Sequence, residues 1–164
     1  MDSLTAANIR DAKLSEIGDL AKIWFDGWQD AHARIVPVEL GRLRTLQSFD
    51  ERLRAASTGV RVAETGGALL GFYFLKGAEL YQFYVSAGAR GSGIAAVLMA
   101  DAETRLRERQ VRIAWLACAI GNDRAARFYE KCGWLRIGTM TDHVEVQGGG
   151  TFALDVWRYE KSLW

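Results

Sequence analysis

At 164 residues, 49% apolar and 25% charged, the chain suits one domain with a real core and has an ordinary globular composition. Its net charge of +1 argues against a large electrostatic footprint for nucleic acid or acidic membrane. Two cysteines, Cys118 and Cys132, both in apolar surroundings, read as reduced thiols. His32 and His143, with no metal-ligand spacing, make a zinc site an unsupported reading.

Residues Met1 to Thr5 show no basic segment followed by an apolar run, and no stretch approaches the roughly 20 apolar residues of a membrane span. The expectation is a cytoplasmic protein that fills one domain over residues 1–164, with neither nucleic acid nor membrane as partner. A short strand is expected at Asn8 to Ala12. Leu14, Ile17, Leu20, Ala21, Trp24, Phe25 and Trp28 then recur at steps of three and four, one face of a helix, with Ser15 and Asp19 opposite. The segment from His32 to Pro37 breaks that pattern. Pro37 can start a second helix through Leu40, Leu43, Leu46, Phe49 and Leu53, fraying near Ser57 to Gly59.

From Val60 the period shortens. A strand around Val60 to Glu64, a turn at Thr65-Gly66-Gly67 and a strand from Ala68 to Lys76 predict a hairpin. After Gly77-Ala78, Glu79 to Val85 completes an antiparallel meander. A helix is expected from Ile94 to Arg109, with Ile94, Val97, Leu98 and Leu106 facing a core and Glu103, Arg105, Arg107 and Glu108 solvated. Arg112 to Cys118 reads as a buried strand. Asp123 to Cys132 reads as a helix ended by Gly133. Trp134 to Thr141 and Thr151 to Tyr159 are the last strands, joined through Gly148-Gly149-Gly150. The order is mixed α/β around one sheet.

The informative segment is Arg90-Gly91-Ser92-Gly93-Ile94-Ala95, between a strand and a helix. Gly91 and Gly93 let the backbone turn sharply and approach a ligand with no Cβ in the way. The free amides at the helix start converge on one spot, and with the helix dipole they favour an anion such as a diphosphate. A tight structural connection is the competing reading. A dinucleotide loop fits less well, because the first glycine of its pattern is missing and an antiparallel meander precedes it. A Walker loop is excluded by the missing Gly-Lys-Ser/Thr ending.

Arg90-x-x-Gly93-x-Ala95 resembles the Gln/Arg-x-x-Gly-x-Gly/Ala signature of the GCN5-related N-acetyltransferases (GNAT), with Ala95 where glycine is more frequent. Downstream, Asn122-x-x-Ala125-x-x-Phe128-Tyr129-Glu130-Lys131-Cys132-Gly133-Trp134 is similar to a second segment of that family, with Trp134 where phenylalanine is common. The resemblance implies a single α/β (α+β) domain: a mixed, mostly antiparallel sheet of about seven strands flanked by about four helices. It implies acetyl-CoA as cosubstrate, no metal, and a small-molecule or peptide amine as acceptor. A homodimer also follows from it by analogy.

Roles follow from the same resemblance. The backbone around Phe83, Tyr84 and Val85 would pair with the pantetheine arm like an added strand. The turn, Arg90, Gly91, Ser92, Gly93, Ile94 and Ala95, would hold the pyrophosphate. Asn122, with Ala125 in the same motif, would meet the CoA arm, though asparagine also suits a helix N-cap. Tyr129 would protonate the leaving thiolate, against the alternative of an ordinary core aromatic. Glu79, eleven residues before Arg90, is the first choice of general base, against a solvated charge beside a turn. Trp28, His32 and Tyr81 would shape the acceptor site; core packing for Trp28 and Tyr81 and a surface loop for His32 are the plainer readings. An acyl-cysteine route through Cys118 or Cys132 lacks an evident activating histidine. The function read from these residues is acetyl transfer to a primary amine by direct attack in a ternary complex. A non-catalytic acyl-CoA binding or sensing module is the alternative.

Overall fold

The computed structural model describes residues 7–146 and 148–164. The reading of Met1 to Thr5 lies outside them. Seven strands form one sheet in the order β1-β2-β3-β4-β5-β7-β6. They are β1 (Asn8–Asp11), β2 (Arg61–Thr65), β3 (Ala68–Lys76), β4 (Glu79–Val85), β5 (Ile113–Ala119), β6 (Leu135–Glu145) and β7 (Thr151–Ser162). Five α-helices accompany them among the described residues: α1 (Ile17–His32), α2 (Val38–Leu43), α3 (Leu46–Ala55), α4 (Ile94–Glu108) and α5 (Asp123–Lys131). All pairings are antiparallel except β4 with β5. The β2–β3 turn works as expected: Gly66 and Gly67 both take positive φ, 55° and 85°, which a tight two-residue hairpin demands.

The sheet is covered on both faces. On one, α1 and α3 bury Trp24, Phe49, Leu53 and Leu20 against Phe72 and Phe74 of β3. Trp24 is fully buried, with its ring 4.7 Å from that of Phe49 and 5.8 Å from those of Phe72 and Phe74. On the other, α4 and α5 cover Tyr73, Leu116 and Tyr159 with Leu98, Met99, Leu106 and Ala126. Each such large side chain contributes about 1.5–3 kcal/mol by leaving water. Arg61 and the Tyr73 hydroxyl both bond Asp101, tying β2 and β3 to α4.

Several expectations need correction. The single helix after Pro37 is two. The chain breaks at Arg44, and Thr45 caps α3 by accepting the Ser48 N–H at 3.1 Å. Leu14 lies in a 3-10 turn before α1 and is exposed, because the apolar face begins only at Ile17. Along α4 the buried apolar positions are 94, 98, 99, 102 and 106, so Val97 falls outside the stripe and is exposed. Glu103 is buried rather than solvated. It lies beneath β7, where Lys161 reaches it at 2.6 Å. The last two strands run longer than expected: the end of β6, Asp142 to Glu145, pairs with the start of β7, and the end of β7 pairs with β5 through Ser162.

Candidate active site

The Ser86 N–H donates to the Leu70 carbonyl at 2.8 Å, and β4 keeps that register against β3 from Gln82 to Val85. Antiparallel alternation then spends the peptide groups of Gln82 and Tyr84 on β3 and aims those of Phe83 and Val85 the other way, toward β5. But β5 is not there to receive them. The two strands meet where Glu79 pairs with Trp115, whose N–H donates to the Ala78 carbonyl at 3.2 Å, and then diverge. The result is a cleft walled by an open peptide edge. A bulge sits at its start: Leu80 and Gln82 pair with consecutive residues of β3, Leu75 and Phe74, leaving Tyr81 as the extra residue.

The glycine turn closes one end of the cleft. Gly91 and Gly93 take positive φ, 77° and 86°, and Gly93 is the N-cap of α4. The Ser92 N–H bonds the Ala89 carbonyl at 3.3 Å, the Ser92 hydroxyl bonds the same carbonyl, and the Ile94 N–H lies 3.4 Å from the Ser92 Oγ. The N–H groups of Gly91, Gly93 and Ala95 have no protein partner among the described residues. That is the arrangement of free amides an anion needs. The Arg90 side chain bonds Asp30 of α1 at 2.8 Å, and Arg124 of α5 joins the same carboxylate at 3.0 Å.

Turn, cleft and helices line one cavity of about 420 Å³. It brings together Glu79, Tyr81, Phe83, Tyr84, Val85, Arg90, Gly91, Gly93, Ala95, Asn122, Ala125, Tyr129, Trp28 and His32. Ser92 and Ile94 stay outside it: Ser92 braces the turn, and Ile94, the first residue of α4, is buried in the core. The Asn122 Oδ1 caps α5 by accepting the Ala125 N–H at 3.4 Å. Phe128 and Tyr129 both reach the cavity wall, where Phe128 stacks on Phe83 at 5.6 Å. His32 is not in a surface loop. It ends α1, stacks on Trp28 at 5.3 Å, and its Nδ1 lies buried near the Trp28 backbone without a hydrogen bond of standard geometry.

Burial sets the protonation states. It raises the Glu79 carboxyl to about 7, helped by the nearby charge of Asp142 on β6. Asp142 is itself raised, chiefly by burial. His32 is pushed down to about 4 by burial, which leaves it neutral and weakly basic at neutral pH. Tyr129 is held well above its ordinary value, so its hydroxyl keeps its proton; it makes no hydrogen bond to protein among the described residues. Burial pushes the Cys118 thiol up to about 12, the opposite of an activated nucleophile. The sequence does not single out Asp142, Asp30, Arg44 or Arg52, which the fold also delivers here. Thr45, an N-cap residue type, marks the start of α3, the helix from which Arg52 lines the cavity.

A splayed β4–β5 pair beside a glycine-capped helix can be tested against known proteins. A sequence model of the acetyltransferase (GNAT) family matches residues 19–134. The chain belongs to that family. Among curated relatives, YuaI of Bacillus subtilis strain 168, an uncharacterized N-acetyltransferase, is 32% identical over 66 residues, 39% of this chain; the match spans 38% of the length of YuaI. Among solved structures, an N-acetyltransferase from Staphylococcus aureus Mu50 superposes with a TM-score of 0.73 at 23% identity, over 98% of this chain and 100% of that one. YncA of Salmonella typhimurium, solved with its cofactor acetyl-CoA, gives 0.66 at 17% identity over 97% and 95%. At these identities the likeness shows the shared GNAT fold.

Proposed function

We propose that this GNAT protein transfers an acetyl group from acetyl-CoA to a primary amine by direct attack in a ternary complex. The observation that carries the reading is the single cavity joining the free amides of the glycine turn, the open edge of β4, and two protonation-tuned groups, Glu79 and Tyr129.

The N–H groups of Gly91, Gly93 and Ala95 take the pyrophosphate, and the free peptide edge at Phe83 and Val85 pairs with the pantetheine arm. The Asn122 side-chain amide, with its oxygen spent on the cap, offers its N–H groups to the same arm. Glu79 accepts a proton from the acceptor ammonium, directly or through water, because only the neutral amine is a nucleophile. The amine nitrogen bonds the thioester carbonyl carbon while a backbone N–H beside Val85 steadies the oxygen that gains charge. The carbon–sulfur bond then breaks, Tyr129 gives its proton to the leaving sulfur, and the remaining extra proton on the new amide nitrogen returns to the tyrosine oxygen through water. A Glu79 carboxyl near 7 suits a base at neutral pH, whereas a histidine near 4 does not. A cytoplasmic location and a homodimer belong to this proposal too. Leu135 and Ile137, exposed on edge strand β6, support the second.

Initial rates with both substrates varied test the chemistry. Direct attack gives intersecting reciprocal plots. Parallel plots would mean an acyl-enzyme and would overturn it.

A further inference from the structure

The acceptor end of the cavity holds charges that the transfer chemistry does not use. Arg44 lines it while only 4% exposed. Its Nη1 donates to the Glu145 carbonyl at 2.6 Å, and its Nε is buried with no hydrogen-bond partner. Arg52 reaches the same space from α3. Its guanidinium lies 4.4 Å over the Trp24 ring, its Nη2 is 3.4 Å from the Tyr81 hydroxyl, and its Nε is likewise buried and unpartnered. Neither arginine makes an ion pair among the described residues, and the Glu145 carboxylate is engaged by Lys76 at 2.6 Å.

A buried cation with no ion pair is expensive, and the half-buried Arg52 beside Arg44 adds to that cost. Burial and the positive charge of Arg52 pull Arg44 down to about 10, below its ordinary value but still charged at neutral pH. A bound anion would remove that cost. A planar guanidinium offers a carboxylate parallel N–H groups, which a lysine could not.

The carboxylates of the cavity form a separate pole. The charges acting most on Glu79 are Asp142, Lys76, Arg158 and Glu145; the groups acting most on Arg44 are Arg52, Tyr84, Tyr81 and Glu145. Glu79 and Asp142 thus give the cavity an acidic pair and Arg44 and Arg52 a basic one, with no ion pair between them among the described residues, while Glu145, bonded to Lys76, acts on both.

We propose that the acceptor is a small primary amine bearing its own carboxylate, an amino-acid-like molecule held by Arg44 and Arg52 with its amine toward Glu79. The proposal rests on the acetyl-transfer reading above. It requires the two charges of the acceptor to match the two poles, so neither a peptide N-terminus nor a polyamine satisfies it. The peptide has an amide where the carboxylate should be, and the polyamine places a cation against two arginines.

The test is free-thiol release from acetyl-CoA with matched triplets: each proteinogenic α-amino acid, its carboxamide, and the amine left when its carboxylate is removed. The expected result is at least one amino acid with kcat/KM roughly a hundredfold above both of its partners, since a site built for a charged group rejects an analogue lacking it. Arg44→Gln and Arg52→Gln should each erase most of that preference by raising KM for the amino acid. Acetyl-CoA affinity measured by calorimetry reports that each variant is folded. Thiol release as fast with carboxamides or simple amines overturns the proposal and leaves acetyl transfer standing. So does a preference unchanged in both variants. Calorimetric acetyl-CoA binding with no thiol release from any amine overturns the transfer reading, and this proposal with it.

Discussion

Glu79 pairs in register with Trp115 at the one place where β4 touches β5, so the proposed base stands where the cleft begins. Its backbone is fixed by two strands while its side chain lines the cavity, nearly buried at 8% exposure. Both the position and the raised carboxyl therefore follow from where the sheet splits.

The pH dependence follows directly. As the proposed base Glu79 would work as the carboxylate, and burial raises its carboxyl to about 7. The rate under kcat/KM conditions should rise with pH through an apparent pKa near 7 and level off above it. Glu79→Gln should remove that limb and slow turnover by roughly 10²- to 10⁴-fold. A rate profile flat from pH 6 to 8 would remove Glu79 from the base role.

The same group makes a stability prediction. Its folded pKa lies above the ordinary carboxyl value, so the folded chain holds the extra proton between about 4.5 and 7. Stability from this site is full below the lower value and is lost as pH rises through the upper one. Glu79→Gln should raise Tm relative to the native chain, by more at pH 8 than at pH 5. Thermal melts at the two pH values check it.

Tyr129→Phe removes a hydroxyl that stays protonated at neutral pH and keeps the ring packing against Phe128 and Tyr159. Turnover should fall roughly ten- to a thousandfold while the Kd for acetyl-CoA changes little. An unchanged kcat, with chemistry rate-limiting, would reduce Tyr129 to a wall residue.

Gly93→Ala probes the turn. A Cβ there meets no protein atom, so the cost is conformational: φ of 86° strains an alanine by about 1–2 kcal/mol. The displaced amides should weaken acetyl-CoA binding, read by calorimetry, with only a modest fall in Tm.

Cys118 lines the cavity with its thiol pushed up to about 12. Iodoacetamide should label it slowly in the native protein at pH 7.5, and Cys118→Ala should keep turnover within about threefold. Loss of transfer in that variant, with normal acetyl-CoA binding, would revive an acyl-cysteine route.

Apart from the split between α2 and α3, the order of helices and strands was readable because periods of two and near 3.6 alternate cleanly, and the turn because Gly91 and Gly93 stand where a strand hands over to a helix. The bulge at Tyr81 was not: which strand carries the extra residue depends on how β3 and β4 pack, and no glycine marks it. Arg44 and Arg52 look in sequence like ordinary solvated helix charges. In the fold Arg44 is buried at the break before α3, and Arg52 lines the cavity from α3. Asp142 comes from a strand 63 residues beyond Glu79, and a lone carboxylate carries no spacing signal.

Acetyl transfer to an amine is tested most directly by mixing the protein with acetyl-CoA and the amine panel and measuring free thiol and acetylated amine together. The account predicts one thiol released per amide formed, dependent on protein and amine, and largely lost in Glu79→Gln. Tight acetyl-CoA binding with neither product from any amine would contradict it and leave an acyl-CoA binding module.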